Sequence, residues 1–195
     1  GISRGARKGV IFRGGAALER LATVRAVVVD KTGTLTVGEP RLAGIESFDP
    51  QITADDALRL AASVDQVSSH LIARALVAEA RGRGLSLDFP NDATEEPGGG
   101  IAGRLGDTRV AVGNLPWLTE SARASDAVHR FHRAMERVAP LSVFIAVDGE
   151  VVAAATFDDV IRRDAAGAIR ALRRAGVRKL VMATGDHLVV AQSVG

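Results

Sequence analysis

The chain has 195 residues, 47% hydrophobic and 25% charged, an ordinary balance for one large or two small folded domains with a real core. Lys and Arg number 25 against 23 Asp and Glu, with the arginines interleaved among acids; no Tyr and a single Trp further disfavour a nucleic-acid footprint or a base-stacking platform. The lack of Cys excludes disulfides and thiolate metal sites, no apolar run approaches a membrane span, and the N-terminus carries no signal-peptide pattern.

In chain order, residues 1–23 form a basic, glycine-rich lead into a short helix over 16–22. Ala26-Val27-Val28-Val29 then forms a short apolar run without alternation. That pattern predicts a strand buried on both faces, as in a parallel sheet. The strand ends in Asp30 and turns through Gly33 within Asp30-Lys31-Thr32-Gly33-Thr34-Leu35-Thr36. Open α/β sheets bind ligands at the carboxyl ends of their strands, so Asp30 stands where a nucleophile or metal ligand would be placed. A carboxylate so placed can serve in covalent catalysis as a nucleophile.

Residues 37–40 read as a turn and 41–48 as a strand. Thr53, followed by Asp55 and Asp56, starts a helix with Ala57, Leu60, Ala61 and Val64 at helical spacing. A second helix spans 69–81, with Ile72, Ala75, Leu76 and Ala80 on one face, His70 at its start, and Gly82 and Gly84 at its end. Residues 91–100 read as an acidic, glycine-rich loop. Gly98-x-Gly100-x-x-Gly103 is weak alone, because alternation like a strand follows it rather than a helix. A strand over 109–114 ends in Gly113-Asn114, a helix spans 125–138, and 141–152 is a hairpin about Asp148-Gly149. The α/β core resumes at 156–162. Asp164 caps a helix carrying Ala168, Ile169, Leu172 and Ala175, which Gly176 stops. A strand over 177–183 delivers Thr184-Gly185-Asp186 to the same sheet edge as Asp30.

The run 30–36 resembles, in all seven residues, the phosphorylation motif of P-type ATPases, ion pumps of the haloacid-dehalogenase-like superfamily. Ser69-His70-Leu71, Pro97-Gly98-x-Gly100-x-x-Gly103 and Gly113-Asn114 are similar to nucleotide-domain motifs of the heavy-metal branch. Ser69 and Leu71 stand where that branch has Glu and Pro, and Asp65 where it has a Glu that contacts adenine. The resemblance implies a catalytic set of Asp30, Lys31, Thr32, Thr184, Gly185 and Asp186, with Mg2+ held by Asp30 and the Thr32 carbonyl. It implies an ATP site lined by Asp65, His70, Gly98, Gly100, Gly113 and Asn114.

The expected fold is α/β: an incomplete Rossmann-like core of haloacid-dehalogenase type, with an inserted α+β nucleotide-binding domain on an antiparallel sheet. The expected division is a connector from a membrane helix at 1–22, a partial phosphorylation domain at 23–40 and 155–195, and the nucleotide-binding domain at 41–154. The implied activity is ATP-driven transport of a metal cation through an aspartyl phosphate, in the cytoplasmic part of a plasma-membrane protein. Because the family's phosphate-neutralising lysine and second Mg2+ loop would lie further on, the chain alone is expected to bind nucleotide but label poorly. Two rivals stand beside this reading. A soluble phosphatase with a cap domain would need a general acid where Thr32 stands, and Thr has no pKa near neutrality. A non-catalytic nucleotide-binding module would bind ATP and never become phosphorylated.

Overall fold

A computed structural model of the protein describes residues 2–7, 9–138 and 141–183. Helices α1 (Ile2–Ala6) and α2 (Gly15–Ala22) precede β1 (Ala26–Asp30), a turn of π-helix over Lys31–Leu35, and β2 (Thr36–Ser47). Then come α3 (Ala54–Asp65), α4 (Leu71–Gly82), β3 (Asn91–Glu96), β4 (Gly100–Leu105), β5 (Thr108–Gly113), α5 (Leu115–Leu118) and α6 (Asp126–Val138). Strands β6 (Ser142–Val147) and β7 (Glu150–Ile161), helix α7 (Ala165–Arg174) and strand β8 (Lys179–Ala183) complete the order. These elements form two compact units, one of residues 38–160 and one of residues 2–37 with 161–183.

In the larger unit the sheet order is β2-β7-β6-β5-β4-β3, and the pairs from β3 to β7 are antiparallel. Its first helix starts on a capping box: Thr53 Oγ1 accepts from the Asp56 amide, and Asp56 Oδ2 accepts from the Thr53 amide. Alanines then let the α3 and α4 backbones approach closely. Ala57, Leu58, Ala61, Val64, Leu76 and Ala80 are all fully buried, packed with Ile101, Val110, Ile145 and Ala153 of the sheet. A second cluster holds Leu115, Leu118, Val128, Phe144, Val151 and Ala154, with Phe131 edge-on to both Phe48 and Phe144. Strand alternation sends Phe144 to one cluster and Ile145 to the other. Pairing of Ile145 with Ala153 and of Ala146 with Val151 leaves Val152 as an extra residue, so Val152 and Ala153 both join the first cluster. The hairpin turn has Asp148 at φ 47° and Gly149 at φ 85°, the positive pair that a tight two-residue turn requires.

Four sequence expectations are corrected. Residues 37–40 are strand rather than turn: β2 runs through them, with Gly38 at φ 74° absorbing the distortion and Pro40 tolerated on an edge strand. The acidic stretch expected as a loop is strand β3 from Asn91 to Glu96, and only residues 97–99 turn. Asp164 holds the N-cap position without a side-chain cap bond: its backbone is already helical, at φ −89° and ψ −8°, and its Oδ1 accepts from Arg162 Nε at 3.4 Å. The strand leading to Asp30 is not buried on both faces.

In the smaller unit β1 and β8 pair in parallel, Ala26 with Lys179 through Asp30 with Ala183. Amides of Arg178 and Lys179 donate to the Arg25 carbonyl at 2.8 and 3.0 Å, which sets that register. Both strands alternate between exposed and half-buried, and Val28 is 68% exposed. Helix α7 buries only Ala165 fully, so among the described residues this pair lacks the two covered faces that its apolar sequence calls for.

Candidate functional site

Asp30 closes β1 at φ −70°, ψ 143°, and the chain then winds through one wide turn. Thr36 holds that turn shut. Its buried Oγ1 donates to the Lys31 carbonyl at 3.1 Å and accepts from the Gly33 amide at 3.1 Å. Gly33 sits at φ 75°, a conformation that costs glycine little. Lys31 is buried, Asp30 is exposed, and the Arg162 amide donates to the Leu35 carbonyl at 2.8 Å. Thr184, Gly185 and Asp186 lie outside the described residues.

The six residues expected at a nucleotide site come together around one cavity of about 300 Å³ within the larger unit. Asp65, His70, Gly98, Gly100, Gly113 and Asn114 all line it, joined by Ser68, Glu95, Glu96 and the apolar Ile72, Ile101, Val112 and Val143. Asp65 ends α3 and is 4% exposed. Burial, reinforced by the nearby Glu95 charge, pushes its carboxyl up to about 7. Its Oδ2 is buried with no hydrogen-bond partner among the described residues. Ser68 Oγ donates to Glu95 Oε1 at 2.6 Å, fixing the second carboxylate beside the first.

His70 is the N-cap of α4. The Ile72 amide donates to its Nδ1 at 3.3 Å, which assigns the proton of the neutral ring to Nε2. A side-chain cap thus starts the helix where the resembled motif uses Pro. The turn over residues 97–99 is tied to α5. Asn114 Nδ2 donates to the Gly98 carbonyl at 2.6 Å, and its backbone amide donates to the Gly99 carbonyl at 3.0 Å. The glycines are required sterically: a Cβ at Gly100 would lie 2.2 Å from the Val112 carbonyl, and one at Gly113 would lie 2.6 Å from that of Gly99.

Asp65, Ser68, Glu95 and Glu96 give the cavity an acidic, hydrogen-bonding rim, while its apolar residues offer a slot for a flat ring. Sequence reasoning missed Ser68, Glu95 and Glu96 as lining residues, because the acidic stretch read as loop and its pairing with β4 is tertiary. It also passed over Trp117, whose signal was available: the chain's only Trp, three residues after Gly113-Asn114.

For Mg2+, the described residues contain no group of three or more His, Cys, Asp or Glu that could hold a metal ion. An exposed carboxylate at the end of β1 and the carbonyls of the turn after it are nevertheless the hard oxygen donors that Mg2+ accepts alongside water and phosphate. For an adenine nucleotide, the bare backbone of Gly100 and Gly113 along the cavity and the buried Asp65 oxygen, unpartnered among the described residues, provide a fitting lining.

Comparison with known proteins places the molecule in a class. The family model described as haloacid dehalogenase-like hydrolase matches residues 24–195, and the chain belongs to that family. Within it, the chain corresponds to part of the heavy-metal P-type ATPases. It is 33% identical over its full length to the "Silver exporting P-type ATPase" of Salmonella typhimurium, covering 23% of that protein. It is 38% identical over its full length to the "Copper-exporting P-type ATPase" of Legionella pneumophila, covering 26%. The crystal structure of a zinc-transporting PIB-type ATPase in the E2.Pi state superposes with a TM-score of 0.78 at 33% identity, over 99% of this chain and 31% of that one. The chain therefore spans about a quarter of the length of these curated relatives. No helix among the described residues is long and apolar enough to cross a membrane.

Proposed function

We propose that the chain is the ATP-binding and phosphorylation part of a metal-cation pump, on the cytoplasmic side of a membrane. The observation that carries this reading is the convergence of Asp65, His70, Gly98, Gly100, Gly113 and Asn114 on one cavity, from three separate stretches of sequence. Residues 41–154 are the nucleotide-binding domain, residues 23–40 with 155–195 are part of the phosphorylation domain, and residues 1–22 lead in from a membrane helix. The cargo is a metal cation; silver, copper and zinc are named for similar proteins.

Adenine enters between the apolar lining and the acidic rim, where the Asp65 carboxyl and the His70 Nε2–H meet its polar edge. Gly98, Gly100 and Gly113 present bare backbone to the nucleotide; Gly98 also supplies a positive φ, and Gly100 and Gly113 allow the close packing of the two strands and Trp117 behind that backbone. The Asp30 carboxylate attacks the terminal phosphorus of ATP. A P–O bond to the aspartate forms as the bond to the ADP oxygen breaks, and ADP leaves with that electron pair. Asp30 and the Thr32 carbonyl would hold Mg2+, which would supply charge neutralisation for the phosphoryl oxygens. Lys31, Thr184, Gly185 and Asp186 complete the phosphorylation site. No side chain at position 32 can serve as a general base for water, so the acyl phosphate persists long enough to drive transport.

Amide NMR of the chain titrated with ATP tests the reading. Resonances of Gly98, Gly100, Gly113 and Asn114 should shift in a saturable way, whereas Gly82 and Gly84, at the far end of α4, should stay put. Saturable shifts confined to other residues would overturn it.

A further inference from the structure

One aromatic ring lies against the cavity's glycines without belonging to the lining. A Cβ built on Gly99 would fall 2.7 Å from Cδ1 of Trp117, one on Gly100 2.7 Å from its Cζ3, and one on Gly113 2.7 Å from its Cε3. The indole thus lies directly against bare backbone of the 97–99 turn, the first residue of β4 and the last residue of β5. Its orientation is fixed from two directions. Trp117 Nε1 donates to Glu96 Oε2 at 2.7 Å, and its backbone amide donates to Asn114 Oδ1 at 2.9 Å. The same Asn114 side chain donates from Nδ2 to the carbonyls of Gly98 and Gly99, at 2.6 and 3.3 Å. Four glycines, one asparagine, one glutamate and the indole therefore form one interlocked unit.

The physical consequence is rigidity where glycine alone would give none. Glycine tolerates close approach but leaves the backbone loose. A broad, stiff ring anchored at its polar tip restores a single conformation at little rotamer cost. We propose that Trp117 is a positioning residue for nucleotide binding: its indole is the platform that holds the 97–100 backbone in the shape the ligand meets. This inference rests on the assignment of the cavity to ATP. Phenylalanine would keep part of the platform and lose the Glu96 anchor, and alanine would remove both.

The test is isothermal titration of ATP, with EDTA present, into the chain and its variants, each checked for fold by circular dichroism. Trp117→Ala should weaken ATP binding about tenfold or more, and Trp117→Phe by a smaller factor, because loss of geometry at a binding backbone is felt steeply. A compensating pair separates positioning from general stability. The three atoms nearest a Cβ at Gly99 all belong to the indole, and Gly99 has no positive φ to forbid a side chain. Gly99→Ala should therefore weaken binding about tenfold beside Trp117 and less than about twofold beside Trp117→Leu, since the coupling lies in that contact. Should the alanine variant not fold, this pair carries the test. A folded Trp117→Ala chain that binds ATP as the parent does, or a Gly99→Ala penalty equal in both backgrounds, would overturn the inference. A parent chain that binds no ATP would instead overturn the assignment of the cavity, and the inference with it.

Discussion

Asp65 shows how one side chain at the end of a helix can set the electrostatics of a pocket. Its carboxyl is buried and shares the cavity with Glu95, so the neutral form is favoured and the group titrates at about 7 instead of 3.8. Between those values the folded chain binds more protons than the unfolded one. Stability contributed by this group is therefore present at low pH and lost as pH rises through about 7. The full shift corresponds to at most about 4 kcal/mol. Asp65→Asn keeps the shape and removes the titration. Its thermal midpoint should exceed the parent's by about 5 °C or more at pH 8, with the gap closing or reversing at pH 5. Parallel midpoint curves across that range would contradict the burial argument. Other residue roles differ in how far sequence revealed them. The placement of Asp30 and of Gly113-Asn114 at strand ends was legible, because a short apolar strand is a local pattern. His70 was legible as a position, but its capping bond was not: the ring's Nδ1 is taken by the Ile72 amide, which depends on backbone geometry. Trp117 stood out as the chain's single Trp, but what it supports did not, because its contacts with Gly99 and Gly100 join residues distant in the chain.

At the scale of elements, helices α3 and α4 carry the larger unit's first core cluster, and their apolar spacing announced them. Leu76 is fully buried within that cluster, whereas Leu71, on the same helix, is 47% exposed. Leu76→Ala should cost about 3 kcal/mol in urea unfolding, since truncation loses transfer energy and leaves a cavity. Leu71→Ala should cost less than about 1 kcal/mol, in line with surface sites. Equal losses would mean that α4 faces the sheet differently. Strands β2 and β3 were the least legible elements, for opposite reasons. Gly38 and Pro40 signal a turn by local chemistry, yet pairing along a sheet edge holds them extended. Asn91–Glu96 is exposed along its length and polar except for Ala93, with Asp92 at φ 50°, so it carries no hydrophobic alternation; only its partner β4 makes it a strand. Acidic side chains on that outer strand also deter pairing with another chain.

For the whole molecule, the seven-residue run at 30–36 revealed the family before any fold was known, and the parallel pairing of β1 with β8 agrees with the α/β core it implied. Burial of that core was misjudged. Four consecutive apolar residues call for two covered faces, but Val28 stays 68% exposed among the described residues, so the covering elements could not be inferred from the strand alone. What the account requires of the complete protein is chemical: Asp30 must carry the transferred phosphate. The most direct measurement is radiolabelling of the full-length protein with ATP bearing a labelled γ-phosphate, followed by acid quench and hydroxylamine treatment, with and without Asp30→Asn. The account predicts an acid-stable, hydroxylamine-sensitive label in the parent that disappears in the variant. An undiminished label in Asp30→Asn would contradict it.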